Sequence, residues 1–126
     1  MKKTLQNILV LGAKSDIAAA TARLYAEQSF ALTLAARETE SLEKIKEDLL
    51  IRGAVNVELA EVNLESVKSI KTFLKNLNPL PDLVLCAVGY LGEQSRTEKD
   101  FKEMERVIKV NLTGPAMIFE TLAQSM

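Results

Sequence analysis

Histidine and tryptophan are absent from this sequence of 126 residues, and cysteine occurs once, at Cys86. Without histidine there is no imidazole base, no histidine metal ligand and no Ser-His or Cys-His nucleophile pair. A single thiol added to that absence leaves too few nitrogen and sulfur ligands for a zinc centre, so no metal site is expected. One cysteine also rules out a disulfide within the chain, and such usage suits a reducing compartment. Cys86 lies in an apolar run with no cation or base beside it, so it is expected as an inert, buried thiol. Long hydrophobic runs are missing too. The basic start Met1-Lys2-Lys3 leads into an apolar stretch that Gly12, Lys14 and Asp16 soon interrupt. That is too short for a signal-peptide core or a membrane span, and a cytoplasmic protein is expected. Charge of one sign is not in excess: 16 basic against 17 acidic residues leave a net charge of −1. A broad attraction to nucleic acid or an anionic membrane is therefore not expected.

The composition that remains is that of an ordinary globular chain, and its length suits one domain over residues 1–126. Two hydrophobic periodicities alternate along it. Asn7 to Leu11, Ala31 to Ala35, Val55 to Val62 and Leu83 to Val88 are short apolar runs that read as buried strands. Between them lie helical patterns. Asp16 to Gln28 places Ile17, Ala20 and Leu24 on one face. Glu38 to Arg52 places Leu42, Ile45 and Leu49 together, and Gly53 follows where a C-terminal cap belongs. Ser66 to Leu77 aligns Val67, Ile70, Leu74 and Leu77 and ends before Pro79 and Pro81. A last helical pattern runs from about Glu98 to Met126, and its charged beginning reads as the solvated face of an amphipathic helix. The order βαβαβαβα implies an α/β doubly wound parallel sheet, with strands in the order 3-2-1-4. The last helix carries no stop signal and the fourth strand lacks an outer neighbour, so the sequence reads as cut short or as leaning on another chain.

The segment Gly12-Ala13-Lys14-Ser15-Asp16-Ile17-Ala18 stands between the first strand and the first helix. A helix start offers unpaired N–H groups and the positive end of the helix dipole, which suit a diphosphate. Gly12 permits a tight turn, Ala18 a close approach of helix to sheet, and Asp16 is the natural N-cap. The Asp16 carboxylate would repel a phosphate beside it, which Lys14 or Ser15 could offset. At the end of the second strand, Ala36-Arg37 occupies the place where a dinucleotide fold often holds the ribose with an acid. A guanidinium there favours the 2′-phosphate of NADP, with Lys14 near the same ribose, so NADP is expected in preference to NAD.

Four features in order resemble the short-chain dehydrogenase/reductase family across the whole chain. They are the Gly12–Ala18 turn, Glu61-Val62, Cys86-Ala87-Val88-Gly89 where the family has Asn-Asn-Ala-Gly, and Val110-Asn111-Leu112-Thr113-Gly114. The resemblance implies a Rossmann-like fold, dinucleotide contacts from Gly12, Lys14, Ser15, Asp16, Ile17, Glu61, Val62, Ala87, Val88 and Gly89 beside Arg37, and an active-site role for Asn111. Two of the usual turn glycines are replaced, by Asp16 and Ala18. With Leu91-Gly92-Glu93-Gln94, that variant turn looks like a branch that includes bacterial reductases of lipid-linked or exopolysaccharide keto-sugars.

The family's chemistry rests on a serine and a Tyr-x-x-x-Lys pair. Only Tyr25 and Tyr90 occur here, followed four positions on by Ser29 and Gln94. The chain thus corresponds to the N-terminal, cofactor-binding part of an NADP-dependent oxidoreductase and is expected to be inactive alone. A non-catalytic dinucleotide-binding module or an interaction domain are the alternatives. Pro115 has no N–H to offer the carbonyl of Asn111, so a kinked helix is expected there. Val107, Val110, Ile118, Phe119 and Leu122 exceed what a four-stranded layer can cover, and a homo-oligomer is expected.

Overall fold

The computed structural model describes residues 6–89 and 100–126. Four strands, β1 (Asn7–Leu11), β2 (Ala31–Ala36), β3 (Asn56–Glu61) and β4 (Leu83–Cys86), form one parallel sheet in the order β3-β2-β1-β4. The helices are α1 (Asp16–Glu27), α2 (Glu43–Arg52), α3 (Val67–Asn76), α4 (Phe101–Ile108) and α5 (Gly114–Ser125). A 3-10 turn over Glu40–Leu42 precedes α2, and a π-helical segment, Lys109–Thr113, joins α4 to α5. The fold class and strand order are those expected from the alternating periodicities.

Strand alternation divides the core between the two faces of the sheet. Ile8, Val10, Leu32 and Leu34 pack with Ala18, Ala22 and Ala26 of α1 and with Leu42 and Leu49 at α2. Leu9, Leu11 and Ala35 point the other way and pack with Ile70 and Phe73 of α3 and Ile118 and Leu122 of α5. Each large side chain so buried contributes about 1.5–3 kcal/mol. Gly53 caps α2 with φ +122°, as placed by the sequence. Outside the core, Arg52 meets Asp48 of its own helix at 2.8 Å and ties α2 to α1 by meeting Glu27 at 3.4 Å. The hydrogen bond and charge of Asp48, then the charge of Glu27, raise its pKa above the ordinary value.

Local expectations are corrected at several points. The buried face of α1 is the alanine stripe, whereas Ile17 is 73% exposed and Ala20 and Leu24 also face outward. Alanines spaced four apart let the helix axis approach the sheet closely, and larger side chains would hold it away. Among the aligned residues of α3, Ile70 is buried and Val67 exposed, while Phe73 supplies the second buried anchor. Cys86 is exposed, because it ends β4, which pairs with β1 on one side only among the described residues. The beginning of the last helical pattern, at Glu98, lies outside the described residues, and α4 starts at Phe101 after the cap Asp100.

The expected break before Pro115 takes the form of the π segment. There the Gly114 N–H donates to the Lys109 carbonyl, five residues back. A wider turn of this kind absorbs the donor that proline cannot supply. Gly114 is buried, and a Cβ on it would stand 2.6 Å from the Leu64 carbonyl oxygen and 2.9 Å from the Leu64 Cβ. The helix entry therefore rests directly on the loop after β3. Gly114→Ala gains up to about 1 kcal/mol in helix propensity but incurs roughly 1–3 kcal/mol of overpacking against backbone. A lower urea midpoint is expected, and a raised midpoint would contradict this packing.

Candidate functional site

The chain winds from β1 through β2 to β3 on one side and then crosses to β4 on the other side of β1. The carboxyl ends of β1, β2 and β4 thus border a topological switch point, where open α/β sheets form a crevice. Backbone hydrogen bonds brace its floor. The N–H groups of Gly12 and Ala13 donate to the Ala35 carbonyl at 3.2 and 3.3 Å, Ala87 N–H to Leu11 at 2.9 Å, and Val62 N–H to Ala36 at 3.0 Å. Gly12 has φ +76°, and a Cβ there would lie 2.8 Å from the Ala87 carbonyl and the Val88 nitrogen. Glycine is thus required for the turn and also for the approach of the segment after β4.

Ser15 is the N-cap of α1. Its backbone is extended, and its Oγ accepts the Ala18 N–H at 3.3 Å. The expectation that Asp16 caps the helix is corrected: Asp16 is already its first residue and is exposed. In that first turn its negative charge is favoured by the helix dipole. The N–H groups of Asp16 and Ile17 belong to the donors that a helix start leaves without an intrahelical carbonyl.

Beside this turn opens a cleft of about 500 Å3, a size that suits a small-molecule site. Of the residues named from sequence, Gly12, Lys14, Ser15, Arg37, Val62, Ala87, Val88 and Gly89 line it. Asp16, Ile17, Glu61 and Asn111 do not. Ile17 projects to solvent, and Glu61 lines a separate groove with Ser66 and Lys68. Glu61 is exposed at the end of β3, so Asn63, Leu64 and Glu65 of the following loop border the cleft in its place. Asn111 sits exposed within the π segment, and it is its neighbour Val110 that reaches the wall. Leu91-Gly92-Glu93-Gln94 and Tyr90 lie outside the described residues.

Val62, Leu64, Val88 and Val110 supply apolar walls. The rim is charged. Lys14 faces Glu38 at 3.8 Å, and Arg37 faces Glu65 at 3.7 Å. Arg106 of α4 reaches Glu65 at 2.7 Å and Glu103 at 3.8 Å. Glu65, Arg106 and Val110 were missed by sequence reasoning. Arg106 lies 41 positions from Glu65, and no local pattern joins them. A flat apolar group between such walls, with anions at the cationic rim and at the start of α1, is what this arrangement can hold. Among the described residues no cluster fit for a metal ion occurs, and no helix is long and apolar enough to cross a membrane.

Residues 6–126 match the sequence model of the short chain dehydrogenase family. Glycine betaine reductase ATRR of Emericella nidulans is 33% identical over 123 residues, a match that covers 94% of this chain and 9% of that protein. The alcohol dehydrogenase of the archaeon Thermococcus sibiricus, solved with 5-hydroxy-NADP, has a TM-score of 0.79 and 26% identity, over 97% of this chain and 53% of that one. An NAD+-bound xylitol dehydrogenase has a TM-score of 0.83 and 22% identity, over 96% of this chain and 48% of that one. The chain spans about half the length of these solved relatives and a far smaller part of the fungal reductase.

Gly12→Ala tests the floor of the cleft. A left-handed backbone costs a non-glycine residue about 1–2 kcal/mol, and the added carbon meets backbone atoms rather than a side chain that can turn away. A fall in melting temperature is expected in a thermal scan, and a variant as stable as the parent would show that the turn relaxes freely.

Proposed function

The chain belongs to the short chain dehydrogenase family, and we propose that residues 1–126 form one domain, the NADP(H)-binding part of an oxidoreductase that moves hydride between nicotinamide and a carbonyl or alcohol. The observation that carries the cofactor choice is the pair of cations on the cleft rim, Lys14 and Arg37, beside the small Ala36. An NAD(H) site at the end of β2 would instead place a carboxylate to accept from the ribose hydroxyls. The residues fit a dinucleotide in two further respects. Gly12 lets the β1–α1 turn close on the segment after β4 and so aims the start of α1 over the cleft, and among the described residues nothing lies within 4 Å of a Cβ built on Gly89, which leaves that wall open. When bound, the nicotinamide supplies the hydride chemistry; this chain's part is to hold the adenosine end and the diphosphate. The Gly-Ala-x-Ser-Asp-Ile turn supports kinship with the keto-sugar reductase branch. A cytoplasmic setting belongs to the same reading and rests on the lone thiol.

Arg37→Glu is expected to weaken NADP(H) binding about ten- to a hundredfold, the worth of a charged hydrogen bond, and to leave NAD(H) much less affected. Fluorescence titration of both reduced cofactors measures this, and equal binding of the two by the unaltered chain would refute the preference. The chain alone is expected not to oxidise NADPH with any carbonyl substrate, since its two tyrosines lack the lysine four positions on. Sustained, purification-independent turnover would overturn that expectation.

The same reading includes a homo-oligomer. Ile118 and Leu122 are covered by the sheet, but Phe101 is 84% exposed, and Met104, Ile108, Leu112 and Phe119 are also open. From Phe101 to Leu112 they recur at helical spacing, as a stripe that a second copy could bury. Sedimentation at micromolar concentration is expected to show a dimer or larger species, and a monomer with little affinity for hydrophobic dyes would exclude it.

A further inference from the structure

The cationic end of the cleft already contains an anion of the protein's own. The Glu65 N–H donates to Asn63 Oδ1 at 3.0 Å, which fixes the loop after β3. The Glu65 carboxylate is then divided between two guanidinium groups. Oε1 accepts from Arg106 Nε at 2.7 Å, and Oε2 stands 3.7 Å from Arg37 Nη1. Arg106 is held from its other side by Glu103 at 3.8 Å, a side chain that is itself buried. The two contacts of Glu65 are thus unequal: a short, braced one to Arg106 and a long one to the exposed Arg37. All three residues line the cleft.

We infer that Glu65 is a specificity-determining residue that restrains the preference for a 2′-phosphate conferred by Arg37. The inference rests on the reading of the cleft as an NADP(H) site. A phosphate monoester carries close to two negative charges at neutral pH. To reach Arg37 it must approach the outer oxygen of Glu65, which stands 3.7 Å from that guanidinium. Glu65 therefore competes for the guanidinium and repels the incoming dianion. A ribose bearing only hydroxyls meets no such repulsion. Arg106 acts through Glu65 as a positioning residue: it holds the carboxylate back from Arg37, at the longer of the two distances. Released from Arg106, Glu65 would close onto Arg37 and compete more strongly.

The test uses the full chain and two adenosine probes that differ only in the group at issue, adenosine 2′,5′-bisphosphate and 5′-AMP, titrated calorimetrically. Glu65→Gln keeps an oxygen acceptor for Arg106 and removes the charge. It is expected to tighten the bisphosphate about three- to tenfold and to leave AMP within about twofold. Arg106→Gln is expected to weaken the bisphosphate while Glu65 is present and to change little in the Glu65→Gln background, because its effect runs through Glu65. Equal weakening in both backgrounds would make Arg106 a direct phosphate ligand and overturn its positioning role. Unchanged or weaker bisphosphate binding by Glu65→Gln, with Arg37→Glu still impaired, would overturn the restraint and leave the NADP(H) reading intact. Failure of the unaltered chain to distinguish the two probes would overturn both. Glu65→Asp, whose shorter carboxylate withdraws from one guanidinium or the other, gives a second reading should Glu65→Gln lower the urea midpoint. An affinity identical to the parent would count against the inference.

Discussion

The contact on which the rest of the site depends is the approach of the β1–α1 turn to the segment after β4. No side chain fits between Gly12 and the Ala87 backbone. Because this gap is closed by main chain alone, the carboxyl ends of neighbouring strands lie at one level, joined by the bonds from Gly12 and Ala13 to Ala35 and from Ala87 to Leu11. The start of α1 is thereby aimed over the ends of the strands. An anion-binding helix start needs such placement, since its partial charge acts only within about the first turn.

Small residues perform the same service elsewhere. The alanine stripe of α1 brings that helix down onto the first face of the sheet, and Gly114 brings α5 down onto Leu64 on the second. Little apolar area is buried per alanine, so these positions contribute less hydrophobic stabilisation than leucine or isoleucine would. They contribute proximity instead. Large side chains on the strands, Ile8, Leu9, Leu11 and Leu34, fill the layers that the close approach leaves.

The rim of the cleft is organised differently from its floor. Backbone hydrogen bonds and close packing hold the floor. Half-exposed ion pairs hold the rim, each worth about 1 kcal/mol or less. Such pairs exchange partners at small cost, which suits a surface that has to admit an anionic ligand. The Arg106–Glu65 contact is the shortest of them and links α4 to the loop after β3, so the rim is also where the last helical region meets the first three strands.

Much of this molecule was legible in the chain order of its residues. Alternating strand and helix periodicities determined the parallel sheet and its order, because right-handed crossovers leave few other ways to bury four apolar runs. Gly12, Gly53 and Pro115 marked a turn, a cap and a helix irregularity, since each restricts its own backbone whatever surrounds it. The ends of β1, β2 and β4 could be named as cleft residues for the same reason: a strand end in such a sheet has one address. Other features were decided only in three dimensions. Ile17 and Leu24 have the hydrophobicity of core residues, yet the sheet accepted the alanine face, because distance of approach outweighed area. Ser15 took the cap from Asp16 because the turn after Gly12 set its backbone extended. Glu61 left the cleft to Glu65 because the last residue of β3 is exposed and the loop beyond it turns inward. The partnership of Arg37, Glu65 and Arg106 joins three separate elements, and a charge carries no sequence signature of the opposite charge that folding will set beside it.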